Sequence, residues 1–190
     1  AKLMIGRELP SYEHPEYLGS AETLFQVKQL NYVTDDPFGV SLSEINLSLK
    51  AGEILGVAGI SGNGQAELLS LLSGEETCKK NQIFILNQDI SELSAGKRRD
   101  LGLGFVPEER LGRGAVPKMP LTQNMLLTAF RQGLNKFGFI QFNKVSQLTQ
   151  QCIEKFGVKA SGPQAEARSL SGGNLQKFIV GREILQQPKV

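Results

Sequence analysis

One stretch of this sequence restricts its fold more than any other: Gly59-Ile60-Ser61-Gly62-Asn63-Gly64-Gln65-Ala66. Immediately before it, Glu53-Ile54-Leu55-Gly56-Val57-Ala58 is a short apolar run of the kind a buried strand requires. Immediately after it, Ala66-Glu67-Leu68-Leu69-Ser70-Leu71-Leu72 carries helical spacing and is closed by Gly74. Gly59, Gly62 and Gly64 permit a tight turn whose backbone N–H groups point inward. A buried strand that turns through such a loop straight into a helix predicts an α/β architecture, with the helix laid on a sheet.

Phosphate-binding loops of the form G-x-x-x-x-G-K-[ST] occupy this strand-to-helix position. The inward N–H groups and the positive end of the following helix both favour a bound phosphate. Two side chains depart from the pattern. Gln65 stands where a lysine would neutralise the β- and γ-phosphates, and Ala66 stands where a hydroxyl would hold Mg²⁺. Losing one charge-assisted hydrogen bond costs on the order of 1.5–3 kcal/mol, roughly 10- to 100-fold in affinity. The expectation is a loop that holds nucleotide loosely and hydrolyses it poorly. Taken alone, the segment reads equally well as a glycine-rich turn without a ligand.

Elsewhere, Leu24 to Leu30 partly alternates and Ile45 to Leu49 alternates cleanly, predicting two strands, with Ala51-Gly52 as the turn after the second. Ile83 to Leu86 and Gly104 to Val106 read as further strands, and Pro107, Pro117 and Pro120 mark a long loop. From Thr122 the pattern is helical. Thr122 is expected to cap a helix bearing Met125, Leu126, Ala129 and Phe130, and Asn143 one bearing Val145, Leu148, Cys152 and Phe156 and closed by Gly157. A last helix runs from about Asn174 to Leu185 and stops at Gln187-Pro188. The predicted division is a linker over 1–20, a β-rich core over 21–117 and a helical subdomain over 118–190.

The second informative motif is Leu170-Ser171-Gly172-Gly173-Asn174, followed by Gln176-Lys177. A serine hydroxyl and glycine N–H groups at a helix start form an anion site. Ser-Gly-Gly is also a common helix-start turn, but its position after a phosphate-loop-like segment favours more. The pair resembles the phosphate loop and the L-S-G-G-Q signature of ABC transporter ATP-binding domains. That resemblance implies a P-loop NTPase of the ABC-ATPase type, an α/β fold with a β-rich nucleotide-binding core and an incomplete α-helical subdomain. In that family the signature closes over the γ-phosphate held by the opposite domain.

The resemblance covers nearly the whole chain, with residues 75–100 the least diagnostic, and assigns further residues. Glu108, within Phe105-Val106-Pro107-Glu108-Glu109-Arg110, takes the place of the Q-loop glutamine, which contacts the metal and attacking water in a loop facing the permease. Phe38 lies near the position of the aromatic that stacks on adenine, with Tyr32 as the alternative, although strand packing is the plainer role for either. Met4-Ile5-Gly6-Arg7-Glu8 resembles the segment joining two ATP-binding domains in one-chain ATPase subunits of simple-sugar and nucleoside importers. Gly59–Leu68 and the Asn174 variant of the signature resemble the second of those domains, and the run from Val106 to Leu127 resembles the nucleoside branch.

Nothing in the sequence reads as four apolar residues followed by Asp-Glu, the source of a Mg²⁺-holding aspartate and a catalytic base. His14 is misplaced for the family's switch histidine and reads as an exposed linker residue. The expectation is therefore a piece of a longer subunit that ends before those carboxylates and contributes no catalytic residue or metal ligand itself. The implied cofactor is ATP with Mg²⁺ in the parent assembly. The implied partners are a preceding ATP-binding domain, transmembrane permease subunits and, indirectly, a solute-binding protein, with the chain peripheral on the cytoplasmic face of the membrane.

Two competing readings are a catalytically inactive ABC-type scaffold and an ABC-type protein acting on nucleic acid. The second is disfavoured: 21 basic and 19 acidic residues leave a net charge of only +2, and the one tight basic cluster, Lys97-Arg98-Arg99, is explained by a solvated helix face. Cys78 and Cys152 lack metal-ligand spacing and read as free thiols. The transported solute is not encoded here, because selectivity in such importers resides in the binding protein and permease.

Overall fold

A computed structural model describes residues 22–130 and 132–190. The 1–20 linker, the Met4–Glu8 segment and His14 lie outside the described residues. Two hydrophobic clusters divide the fold into a β-rich lobe and a helical lobe.

The β-rich lobe is built on an antiparallel sheet of order β2-β1-β3-β4, with β1 Thr23–Tyr32, β2 Leu42–Lys50, β3 Ile83–Ile85 and β4 Gln88–Asp89. Alternation places Phe25 and Val27 of β1 in the core. A register irregularity between Val27 and Leu30, at the positive-φ Gln29, lets Leu30 join them. Helix α1, Gln65–Ser73, covers the sheet with Leu68, Leu71 and Leu72. It ends as expected at Gly74, whose φ of 83° is left-handed and whose N–H donates to Ser70 O at 3.2 Å.

Two expected strands are absent. Glu53–Ala58 joins no ladder, and Ile54 is 96% exposed. A buried strand needs ladder partners, and among the described residues no strand pairs with this one. Leu55 and Val57 instead line an open apolar cleft of about 210 Å³ with Phe25, Leu47, Leu49 and Leu69. Gly104–Val106 forms no strand either. Its start pairs with the last residues of the chain: Lys189 N–H donates to Gly102 O at 2.8 Å, and Gly104 N–H donates to Val190 O at 2.7 Å.

The Lys97-Arg98-Arg99 cluster is a solvated face only at Lys97. In α2, Ala95–Asp100, the Arg98 side chain is fully buried and Arg99 reaches across to the helical lobe. Backbone carbonyls and a buried carboxylate supply the polar partners that water was expected to supply.

The helical lobe contains α3 Leu121–Ala129, the hairpin β5 Asn135–Lys136 with β6 Phe139–Ile140, α4 Phe142–Lys155, a 3₁₀ turn at Ala167–Ser169, and α5 Gly172–Leu185. Leu121, Met125, Val145, Cys152, Phe178 and Ile179 form its centre. The helix starts differ slightly from expectation: Pro120 precedes α3 and Gln141 precedes α4, and neither Thr122 nor Asn143 is the cap. Thr122 is buried on α3 instead. The long loop before α3 is held by buried Asn124, which accepts from Val116 N–H at 2.7 Å and donates to Val116 O and Met119 O.

Both cysteines are free thiols. Burial pushes Cys152 up to about 11, against the opposing pull of Arg182. At pH 8 its thiolate fraction is about 100-fold below that of an unfolded cysteine of pKa near 9. Alkylation of Cys152 by iodoacetamide at pH 8, followed by mass spectrometry, should therefore be roughly 100-fold slower in the native chain than in urea. Equal rates would show that α4 and α5 separate readily.

Candidate nucleotide-binding site

The glycine loop opens α1 as the sequence implies. Gly62 and Gly64 have φ of 86° and 92°, values that L side chains rarely adopt. Gly64 is the residue before α1, and a methyl group there would press on the Leu42 side chain at 2.7 Å. Ser61, Gly62 and Asn63 are exposed in the turn. The start of α1 is held from outside by Val40, whose N–H donates to Glu67 Oε1 at 3.0 Å.

Gln65 does not project out of the loop. Its Nε2 donates to Ile60 O at 3.0 Å, and its Oε1 accepts from Asn63 N–H at 3.2 Å. The carboxamide lies so close to Gly59 that a methyl group on that residue would sit 2.2 Å from Nε2. Ala66 is exposed at the start of α1 and offers no oxygen to a metal. Among the described residues no cluster of His, Cys, Asp and Glu could hold a metal ion. The loop is thus a glycine turn at the start of α1 whose Asn63 N–H and Ile60 carbonyl are engaged by the Gln65 carboxamide, with no side-chain cation and no hydroxyl at Gln65 and Ala66.

A second cleft of about 340 Å³ brings Ala66 and Glu67 together with Thr34, Asp36, Glu108 and Arg113. Glu108, expected in the Q-loop place, thus shares a cleft with the start of α1. Arg113 is paired with Glu75, which holds its guanidinium above its usual range. The cleft is rich in carboxylates, an unfavourable lining for a triphosphate. Glu67 and Arg113 were not singled out from the sequence, because no motif marks them.

Phe38 is 96% exposed, so it is not a strand-packing residue. It sits in a turn held by Asp36, which accepts from Phe38 N–H at 2.9 Å. Tyr32, by contrast, packs on the core of the β-rich lobe.

The signature segment lies on the other lobe. Ser171 precedes α5 with an extended backbone, and α5 begins at Gly172. Asn174 Nδ2 donates to Ser171 Oγ at 2.9 Å, and Asn174 Oδ1 accepts from Lys159 N–H at 2.9 Å. Leu170 anchors the turn on the helical core. Ser171, Gly172 and Gly173 face solvent. The guanidinium of Arg110 lies over Gly172, where a methyl group would meet Nη1 at 3.0 Å, whereas Gly173 has open space beside it. Arg110 also went unremarked as a site residue, although it follows Glu108 by two positions.

A glycine loop opening a helix on a β-rich lobe, joined to a helical lobe bearing an L-S-G-G turn, is the architecture of an ATP-binding cassette. It superposes on the dimeric structure of MJ0796, a bacterial ABC transporter cassette, with TM-score 0.69 and 18% identity over 87% of this chain and 71% of that one. The nucleotide-free and ADP forms of related cassettes give similar agreement, with TM-scores of 0.66 and 0.68. The sequence profile of the ABC transporter family matches residues 42–190, and the chain belongs to that family. It is 34% identical to the nucleoside import ATP-binding protein NupA of Lactococcus lactis subsp. cremoris (strain MG1363), over 99% of this chain and 37% of that protein. It is 29% identical to the ribose import ATP-binding protein RbsA of Halalkalibacterium halodurans, over 100% of this chain and 36% of that protein. The chain thus spans about a third of the length of these relatives. Among the described residues, no helix is long and apolar enough to cross a membrane.

Proposed function

We propose that this chain is the second ATP-binding domain of an importer ATPase subunit, and that its signature turn completes the nucleotide site whose phosphate loop lies on the first domain. The observation that carries this reading is an asymmetry within the chain. Ser171, Gly172 and Gly173 present a solvent-facing helix start, while the chain's own phosphate loop has Gln65 and Ala66 in place of a lysine and a hydroxyl.

In the assembled subunit, the first domain holds Mg·ATP. Ser171 and the N–H groups of Gly172 and Gly173 stabilise charge on the transferred phosphoryl group. The site built on Gly59–Ala66, with Phe38 as its candidate adenine-stacking aromatic, binds nucleotide weakly or serves structurally. Domain closure is carried to permease subunits through the helical lobe and the Glu108 loop. The solute is a nucleoside or sugar delivered by a binding protein, and the subunit sits on the cytoplasmic face of the membrane. The chain alone does not hydrolyse ATP, and nucleic acid is not a partner.

The test is the ATPase rate of the parent subunit with Gly173→Asp. Gly173 is preferred to Gly172, where a new carboxylate would meet the Arg110 guanidinium. Placing a carboxylate against the γ-phosphate should lower the rate on the order of 100-fold, comparable to losing a strong oxyanion donor. An unchanged rate in a folded variant would instead favour a catalytically inactive scaffold.

A further inference from the structure

We infer that Gln65 is an internal occupant of its own phosphate loop: its carboxamide takes the place of both the lysine and a phosphate oxygen, and so closes the loop to nucleotide. The inference rests on the asymmetric reading above and gives it a physical cause.

The carboxamide is both donor and acceptor, and the loop uses both functions. Nε2 donates to Ile60 O, and Oε1 accepts from Asn63 N–H. A lysine ammonium has donors only. At this position it could satisfy Ile60 O but would leave Asn63 N–H free for an anionic oxygen. Glutamine removes that opening. Gly59 is the other half of the arrangement, since any larger residue there would collide with Nε2.

Two consequences follow. The loop keeps an N–H and a carbonyl satisfied without a ligand, which holds it folded when no nucleotide is bound. An incoming phosphate must displace two hydrogen bonds and gains no cation in return. Gln65 is therefore a competitor for the site and not a weak substitute for lysine. These two roles predict opposite results on truncation, because removing a weak ligand lowers affinity whereas removing a competitor raises it.

The experiment is equilibrium binding of Mg·ATP to the 190-residue chain and its Gln65→Ala and Gln65→Lys variants, with circular dichroism to establish that each is folded. Amide hydrogen exchange at Asn63 is read in parallel. Gln65→Ala is expected to bind about 5-fold more tightly than the unaltered chain, and Gln65→Lys more tightly still. Asn63 should exchange about 5-fold faster in both variants than in the unaltered chain, the scale of one net hydrogen bond. Weaker binding by Gln65→Ala, or no binding by any variant, would overturn the inference, as would unaltered exchange at Asn63. None of these outcomes touches the signature turn, so the Gly173→Asp result stands apart from them.

Discussion

Replacing Arg98 by alanine should destabilise the β-rich lobe by about 4 kcal/mol, seen as a lower urea midpoint by circular dichroism. The guanidinium is fully buried. Nε donates to Leu93 O at 2.9 Å and Nη2 to Ser91 O at 3.1 Å. Nη1 donates to Leu72 O at 3.1 Å and also to Leu71 O. Leu71 and Leu72 belong to the last turn of α1, where carbonyls lack helical partners and the helix dipole is negative. One side chain therefore caps α1 and fastens it to the segment before α2. Burial lowers the guanidinium pKa, opposed by Cys78 and Asp89, but arginine stays charged. Each buried carbonyl left without a donor costs about 1–3 kcal/mol. Arg98→Met keeps the volume and loses every donor, so it should fare nearly as badly. A loss below about 1 kcal/mol in both variants would show that water replaces the guanidinium freely.

Glu183→Ala should be comparably damaging to the helical lobe, by about 3–5 kcal/mol. Glu183 accepts from Arg182 Nε at 2.9 Å through Oε1 and from Arg99 Nη1 at 2.6 Å through Oε2. Arg182 is only 2% exposed and also donates to Asn124 O at 3.1 Å. Desolvation lowers the Arg182 pKa, and the adjacent Glu183 counteracts it. Without Glu183 a guanidinium is left buried and uncompensated. Arg99→Ala removes the outer member of the triad, whose side chain is 25% exposed. Its cost should stay near 1 kcal/mol, in the range of partly screened pairs. Equal losses in Glu183→Ala and Arg99→Ala would contradict this assignment. Because Arg99 also donates to Phe105 O at 3.4 Å, the triad connects the end of α5 to the segment that carries Glu108.

Features that depend on local spacing were legible in the sequence. The α4 face of Val145, Leu148 and Cys152 lies on the helical core, and Gly74 ends α1 where the apolar spacing stops. Features that depend on neighbours were not. Glu53–Ala58 has the composition of a buried strand, but a strand is a property of pairing, and no ladder partner lies beside it. Lys97-Arg98-Arg99 reads as a surface cluster because the Leu71 carbonyl and the Glu183 carboxylate that receive Arg98 and Arg99 come from distant parts of the chain. At the candidate site, residue order marked the glycine turn that opens α1 and the Ser171-Gly172 start of α5. The inward turn of Gln65 was not, since a motif states residue type and leaves side-chain direction open.

The pairing of Gly102–Gly104 with Lys189–Val190 has a further consequence. The chain leaves the β-rich lobe and returns to it through neighbouring backbone positions, so everything between them is an excursion with nearly coincident ends. Lengthening such an excursion adds only about 0.6 kcal/mol of closure entropy per doubling, and the ion pairs of Arg99 with Glu183 and of Glu75 with Arg113 are side-chain ties it must keep. The helical lobe is thus topologically a replaceable insert. Its length can change away from Glu183 and Arg113 at little cost to the lobe that anchors it, and its two adjoining ends mark the natural cut points for grafting it elsewhere.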